Sequence, residues 1–132
     1  MNKILTDKLA AYSLLTILSL VILFHLLVVV GVIPYNIVWG GRLKDKAELF
    51  QFEMVSIGTN LLMLLVVLVK AKILKVALHP KLLTIALWLM FALFILNTLG
   101  NLLSVNEWEK MIFTPLTLIL ALLCLKLALP AK

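Results

Sequence analysis

The chain has little charge, one cysteine and two histidines among its 132 residues. Only 14% of the residues are charged and 64% are hydrophobic, so a soluble domain of this length would lack a polar surface. The single cysteine, Cys124, excludes an internal disulfide and indicates no redox compartment. Zinc sites need several cysteine or histidine ligands at characteristic spacing. We therefore predict neither a metal nor a cofactor.

Familiar catalytic and nucleotide-binding motifs are missing as well. The sequence contains no GxSxG, no HExxH and no cysteine pair. Gly40 and Gly41 do not belong to a GxxxxGK[ST] phosphate loop, and they favour a tight turn instead. Motifs therefore assign no catalytic residue.

Long apolar segments dominate the chain. The mean hydropathy is +1.20, and the apolar residues form four blocks of about 20, the length that crosses a hydrocarbon core of about 30 Å. The blocks are continuously apolar, unlike the alternating segments of a β-barrel. The first is too long for a signal peptide and has no small-residue cleavage site after it, so we expect a retained helix. We predict one all-α domain, a polytopic four-transmembrane-helix bundle with helices at about 8–32, 46–71, 81–103 and 107–129.

Helix-start residues support these segments. Thr6 and Asn106 are of the types that cap helix N-termini, and each precedes an acidic first turn. His79 precedes Pro80, and proline is tolerated in a first turn. We expect helices to begin after these positions.

Basic residues are divided unevenly between the two sides of the predicted bundle. The side that carries the termini has twice as many as the other, which predicts cytoplasmic termini and a location in the inner membrane. The formal charge of +6 is thus a topology signal that indicates contact with anionic lipids and not with nucleic acid. The basic residues on the side of the termini are Lys3, Lys8, Lys70, Lys72, Lys75, Lys81, Lys126 and Lys132, and those on the other side are Arg42, Lys44, Lys46 and Lys110.

Polar side chains within the apolar segments gather toward the predicted outer side. Such groups are costly in lipid and suggest function. Glu53 and Asn60 share a helix face by their spacing, as do Asn97 and Asn101. We predict an outward-facing polar cavity between the helices, covered by the first outer loop. The predicted ligand-binding residues are His25, Trp39, Arg42, Glu53, Asn60, Asn97 and Asn101.

The sequence is also compatible with purely structural roles for the same residues. Asn97 and Asn101 would serve equally well as hydrogen-bonding residues between helices, which are common in membrane bundles. Glu53 is close enough to the interface to face water or to pair with Arg42. His25 would then be a neutral structural histidine.

The chain resembles a small family of bacterial four-helix membrane proteins of unknown function. The resemblance rests on PYNIVWGGR at 34–42, continuing to Phe52 and Glu53, on NTLGN at 97–101 and on FTPLT at 113–117. It covers most of the chain and implies the four-helix architecture, but it brings no activity. A looser likeness, at the level of the fold alone, is to EXPERA-type sterol isomerases and sigma-2-like receptors, with no shared motif.

Three functions remain open from the sequence. The first is binding of a small amphipathic or lipidic ligand in the outer-leaflet cavity. The second is a membrane isomerase or proton-transfer enzyme that uses Glu53 and His25 as acid and base. The third is a structural or assembly subunit, a homo-oligomer or a partner of another membrane protein, that docks through the 35–53 stretch.

Overall fold

The computed structural model describes residues 6–33 and 46–130, and the regular secondary structure in this part of the chain is all α-helix, without strands. Each helix is long and apolar enough to cross a membrane, so the chain is a multi-pass membrane protein and the predicted fold class is confirmed. The side of the membrane on which the termini lie stays a prediction. The helices are α1 (Asp7–Val29), α2 (Lys46–Lys70), α3 (Pro80–Leu102) and α4 (Glu107–Ala128).

Side-chain caps define three helix starts, as expected from the sequence. The Oγ1 of Thr6 accepts a hydrogen bond of 3.1 Å from the backbone N–H of Leu9. Asn106 does the same through Oδ1 for the N–H of Glu109, also at 3.1 Å. His79 caps α3, which begins with Pro80. These caps satisfy backbone donors that have no partner inside a helix.

Two helices end in the same hydrogen-bonded turn. After α1, the N–H of Gly31 bonds to the carbonyl of Val28 and the N–H of Val32 bonds to that of Leu27. Gly31 has φ 91°, the left-handed conformation that this Schellman turn requires. Lys72 occupies the equivalent position after α2 with φ 63°, which is unusual for a residue with a side chain.

The helices alternate in direction and form two antiparallel hairpins. α1 packs along α2, and α3 packs even more extensively along α4. α1 also contacts α4 and so joins the hairpins, whereas α2 and α3 touch over a small area. The main hydrophobic cluster takes its buried side chains from all four helices, among them Leu14, Leu18, Met63, Val67, Leu87, Met90, Phe94, Leu120, Cys124 and Leu127.

Candidate functional site

The side chains of His25, Glu53, Thr98, Asn101 and Thr117 lie toward one end of the bundle, which we call the polar end. It comprises the last turns of α1 and α3 and the first turns of α2 and α4, which the alternating helix directions bring together. The opposite end holds most of the hydrophobic cluster. This division follows the one-sided distribution in the sequence.

His25 of α1 and Glu53 of α2 are in direct contact at the polar end. The Nδ1 of His25 lies 2.5 Å from the Oε2 of Glu53, a short hydrogen-bonding distance. The Glu53 side chain is fully buried, whereas the His25 side chain is 16% exposed. Residues 28 positions apart in the sequence thus form one acid–imidazole pair between two helices.

Apolar and aromatic groups surround this pair. The ring of Phe24 meets that of His25 edge to face, with centroids 5.6 Å apart. On its other side Phe24 packs edge to face on Phe113 of α4, at 4.9 Å. Val28 and Leu49 are buried in a small hydrophobic cluster with Phe24. The pair therefore lies in a setting of low polarity, where a charge-assisted hydrogen bond is strengthened.

The contact gives the two imidazole nitrogens different roles. A carboxylate only accepts, so an ionised Glu53 takes its hydrogen bond from Nδ1–H and fixes the ring's orientation. The other nitrogen, Nε2, has no hydrogen-bond partner among residues 6–33 and 46–130. A held imidazole with a second polar atom can bind a hydroxyl or another polar group, and it can transfer a proton.

Asn60 lies on the same face of α2 as Glu53, two turns deeper in the bundle. Its side chain is 8% exposed, and its Nδ2 donates a 2.7 Å hydrogen bond to the carbonyl of Ser56. The amide donor is thus held by its own helix, and the side chain points into the bundle.

Asn101 takes part in a different cluster, between α3 and α4. Its Nδ2 donates to the carbonyl of Phe113 at 3.2 Å and to the Oγ1 of Thr117 at 3.3 Å. Thr117 also shares a 2.9 Å hydrogen bond with Thr98, which is buried. These bonds join the two helices, as in the structural interpretation of Asn101. The sequence did not lead us to predict Thr98 as part of this cluster, although it lies three residues before Asn101 and hence on the same helix face.

The remaining predicted site residues are Asn97, Trp39 and Arg42. Asn97 is exposed on the surface of α3. Trp39 and Arg42 lie outside the described residues. Within 6–33 and 46–130, no group of three potential metal ligands comes together.

Comparisons with known proteins do not assign the chain to a family. No family model, no curated protein and no solved structure matches the chain. Function must therefore be inferred from the polar end itself.

Proposed function

We propose that this is an inner-membrane protein with cytoplasmic termini that binds a small amphipathic or lipidic ligand at its polar end. The observation that supports the proposal is the partly exposed imidazole of His25, which the buried carboxylate of Glu53 holds in place. We further propose that the chain belongs with the small bacterial four-helix proteins that its first loop resembles.

The energetics of the pair favour a functional role. Two ionisable groups that are removed from water lose their hydration. A protein with well-packed apolar residues at the same positions is often equally or more stable. Intramembrane ionisable groups are for that reason concentrated at binding sites and proton relays. Glu53 and His25 lie in candidate membrane spans, so the same reasoning applies to them.

The surroundings suggest the class of ligand. A polar head group would hydrogen-bond to Nε2 of His25, and an apolar body would lie along Phe24 and the neighbouring helix surfaces. Trp39 and Arg42 would meet the ligand from the loop. Asn60 would line the deeper part of the site.

A second candidate function is acid–base catalysis on a lipid-like substrate. Direct contact between His25 and Glu53 is the arrangement that a general acid–base pair requires. Nε2 would then carry the proton to or from the substrate, and Glu53 would stabilise the charged imidazole. Ligand binding is common to both functions, so it is tested first.

The test is native mass spectrometry of the full chain held in nanodiscs made from total bacterial lipid extract. We expect a bound small molecule on the wild type and its loss from His25→Ala and Glu53→Gln. Matched controls are His79→Ala and Glu107→Gln, which change the same residue types at exposed positions. Equal retention by all five proteins would contradict the proposal.

The catalytic alternative needs a separate measurement. A proton-transfer isomerase incubated in deuterium oxide would place deuterium on carbon in the bound molecule, whereas the same molecule in protein-free nanodiscs would stay unlabelled. Binding without such exchange leaves ligand binding as the function.

A further inference from the structure

Among the three asparagines of the membrane-spanning helices, one has a side-chain amide without a partner in the described chain. Asn60 and Asn101 each donate a hydrogen bond inside the bundle. Asn97 makes none with residues 6–33 or 46–130, and its side chain is exposed. It lies five residues before Leu102, the end of α3, or about 7–8 Å of helix rise inside that end.

Lipid is a poor surrounding for this amide. Hydrocarbon chains offer neither donor nor acceptor, so an unpaired amide there is destabilising. The asparagine side chain is short, which prevents it from reaching far along the helix toward the head groups, as lysine and arginine do. Its oxygen and its N–H₂ group therefore need a partner at the same depth.

The structure assigns that partner as Asn97 of a second copy of this chain. Every copy inserts with the same orientation, so a two-fold axis along the membrane normal brings equivalent residues together at equal depth. An amide is both donor and acceptor, and two of them can therefore satisfy each other. An apolar helix of another protein would leave both groups unpaired.

The surface around Asn97 suits close helix contact. Gly100 follows three residues later on the same face, is exposed, and has no described atom within 4 Å of the place where a Cβ would lie. Small residues at this spacing let membrane helices approach closely. The apolar residues on this face of α3 are Leu89, Leu93 and Leu96.

A dimer through this face would leave the His25–Glu53 pair intact. The interface consists of α3 surface, whereas the pair lies between α1 and α2. Dimerisation and ligand binding are therefore separable, and one can fail without the other.

The experiment measures dimerisation of the full chain in lipid vesicles at decreasing protein-to-lipid ratio, by single-molecule photobleaching. We expect a wild-type dimer, and we expect Asn97→Leu and Gly100→Leu to weaken it about tenfold or more, the size of one or two interhelical hydrogen bonds. Asn97→Gln keeps an amide and should retain most of the affinity. Leu102→Ala, at the end of α3 and on the opposite face of the helix from Asn97 and Gly100, should match the wild type.

Cross-linking gives a second readout that keeps the Asn97 amide in place. In a Cys124→Ala background, Leu93→Cys, one turn before Asn97 on the same helix face, should form an intermolecular disulfide on mild oxidation, because such bonds need Cα atoms within about 7 Å. Leu102→Cys should not. A monomeric wild type at every ratio, an unweakened Asn97→Leu dimer or a disulfide only at position 102 would each overturn the inference. Loss of the bound small molecule from the Asn97→Leu variant would also overturn the inference, because it would place Asn97 in the ligand site.

Discussion

Lys126 places its Nζ 3.0 Å from the Oδ1 of Asp7, and this ion pair joins the end of α4 to the start of α1. The Lys126 side chain is 11% exposed and that of Asp7 is 37% exposed, although the Asp7 oxygen that faces Lys126 is itself buried. The pair closes the bundle at the end opposite His25 and Glu53. It also supports the contact of α1 with α4 that joins the two hairpins.

The unequal exposure predicts unequal effects of removing each partner. Asp7→Asn leaves the buried ammonium unpaired and should lower the free energy of unfolding by about 1–2 kcal/mol, between the values for exposed and buried pairs. Lys126→Met leaves the more exposed carboxylate and should cost less. Unfolding of the purified protein by sodium dodecyl sulfate, followed by circular dichroism, measures both.

A double-mutant cycle checks that the effects arise from this pair. The Asp7→Asn/Lys126→Met protein should be close in stability to Lys126→Met alone, since no unpaired ammonium remains. Asp7 also lies in the first turn of α1, where a negative charge favours the helix. A purely additive double variant would mean that this local effect, and not the ion pair, explains the loss.

The His25–Glu53 pair should be costly to break and inexpensive to replace. His25→Ala removes a hydrogen-bonding partner from a fully buried carboxylate and should destabilise the fold by about 1–3 kcal/mol. Replacement of both residues by leucine should leave stability near or above the wild-type value, because apolar packing substitutes well for a buried polar pair. The same unfolding assay applies, and the histidine control is His79→Asn, which removes an exposed histidine but keeps a capping side chain at the start of α3.

Comparison with ligand retention makes this double variant informative. A stable His25→Leu/Glu53→Leu protein that has lost its bound small molecule would show that the pair serves binding. If the double variant unfolds as readily as His25→Ala, the pair has a structural role instead.

Thr117 connects α4 to two polar residues of α3. Thr117→Val keeps the shape of the side chain but removes the hydrogen bonds to Thr98 and Asn101, and we expect a loss of about 0.5–1.5 kcal/mol. Thr16→Val is the control, because the hydroxyl of Thr16 bonds only to the carbonyl of Tyr12 in its own helix. Equal stability of the two variants would mean that the α3–α4 bonds contribute nothing measurable.

The two left-handed turn positions predict opposite responses to substitution. Gly31→Ala should destabilise the protein by about 1 kcal/mol, because a Cβ disfavours this backbone conformation even with open space around it. Lys72→Gly should stabilise it by about 0.5–1 kcal/mol for the converse reason. Thermal unfolding in detergent distinguishes the signs, and Gly58→Ala, within α2, controls for the general effect of adding a methyl group.

Several features of this protein follow from the sequence alone. The four helices are predictable because each apolar block matches the thickness of a bilayer and ends at capping residues, proline or charge. The gathering of polar groups at one end is predictable too, since alternating helices convert position along the chain into depth. Thr6 and Asn106 act locally, over three residues, so a linear reading was sufficient to identify them as caps.

Only the tertiary structure decided which of those polar groups meet. The depth of a residue in the membrane does not determine the direction in which its side of the helix points. That direction depends on the rotation of the helix about its axis, which is set by packing among all four helices. That packing brings His25 against Glu53, holds Asn101 against Thr117 and leaves Asn97 on the surface, although the sequence places His25, Glu53, Asn97 and Asn101 toward the same side. The contact between Lys126 and Asp7 likewise depends on α1 packing beside α4, a choice that hydrophobic length cannot make.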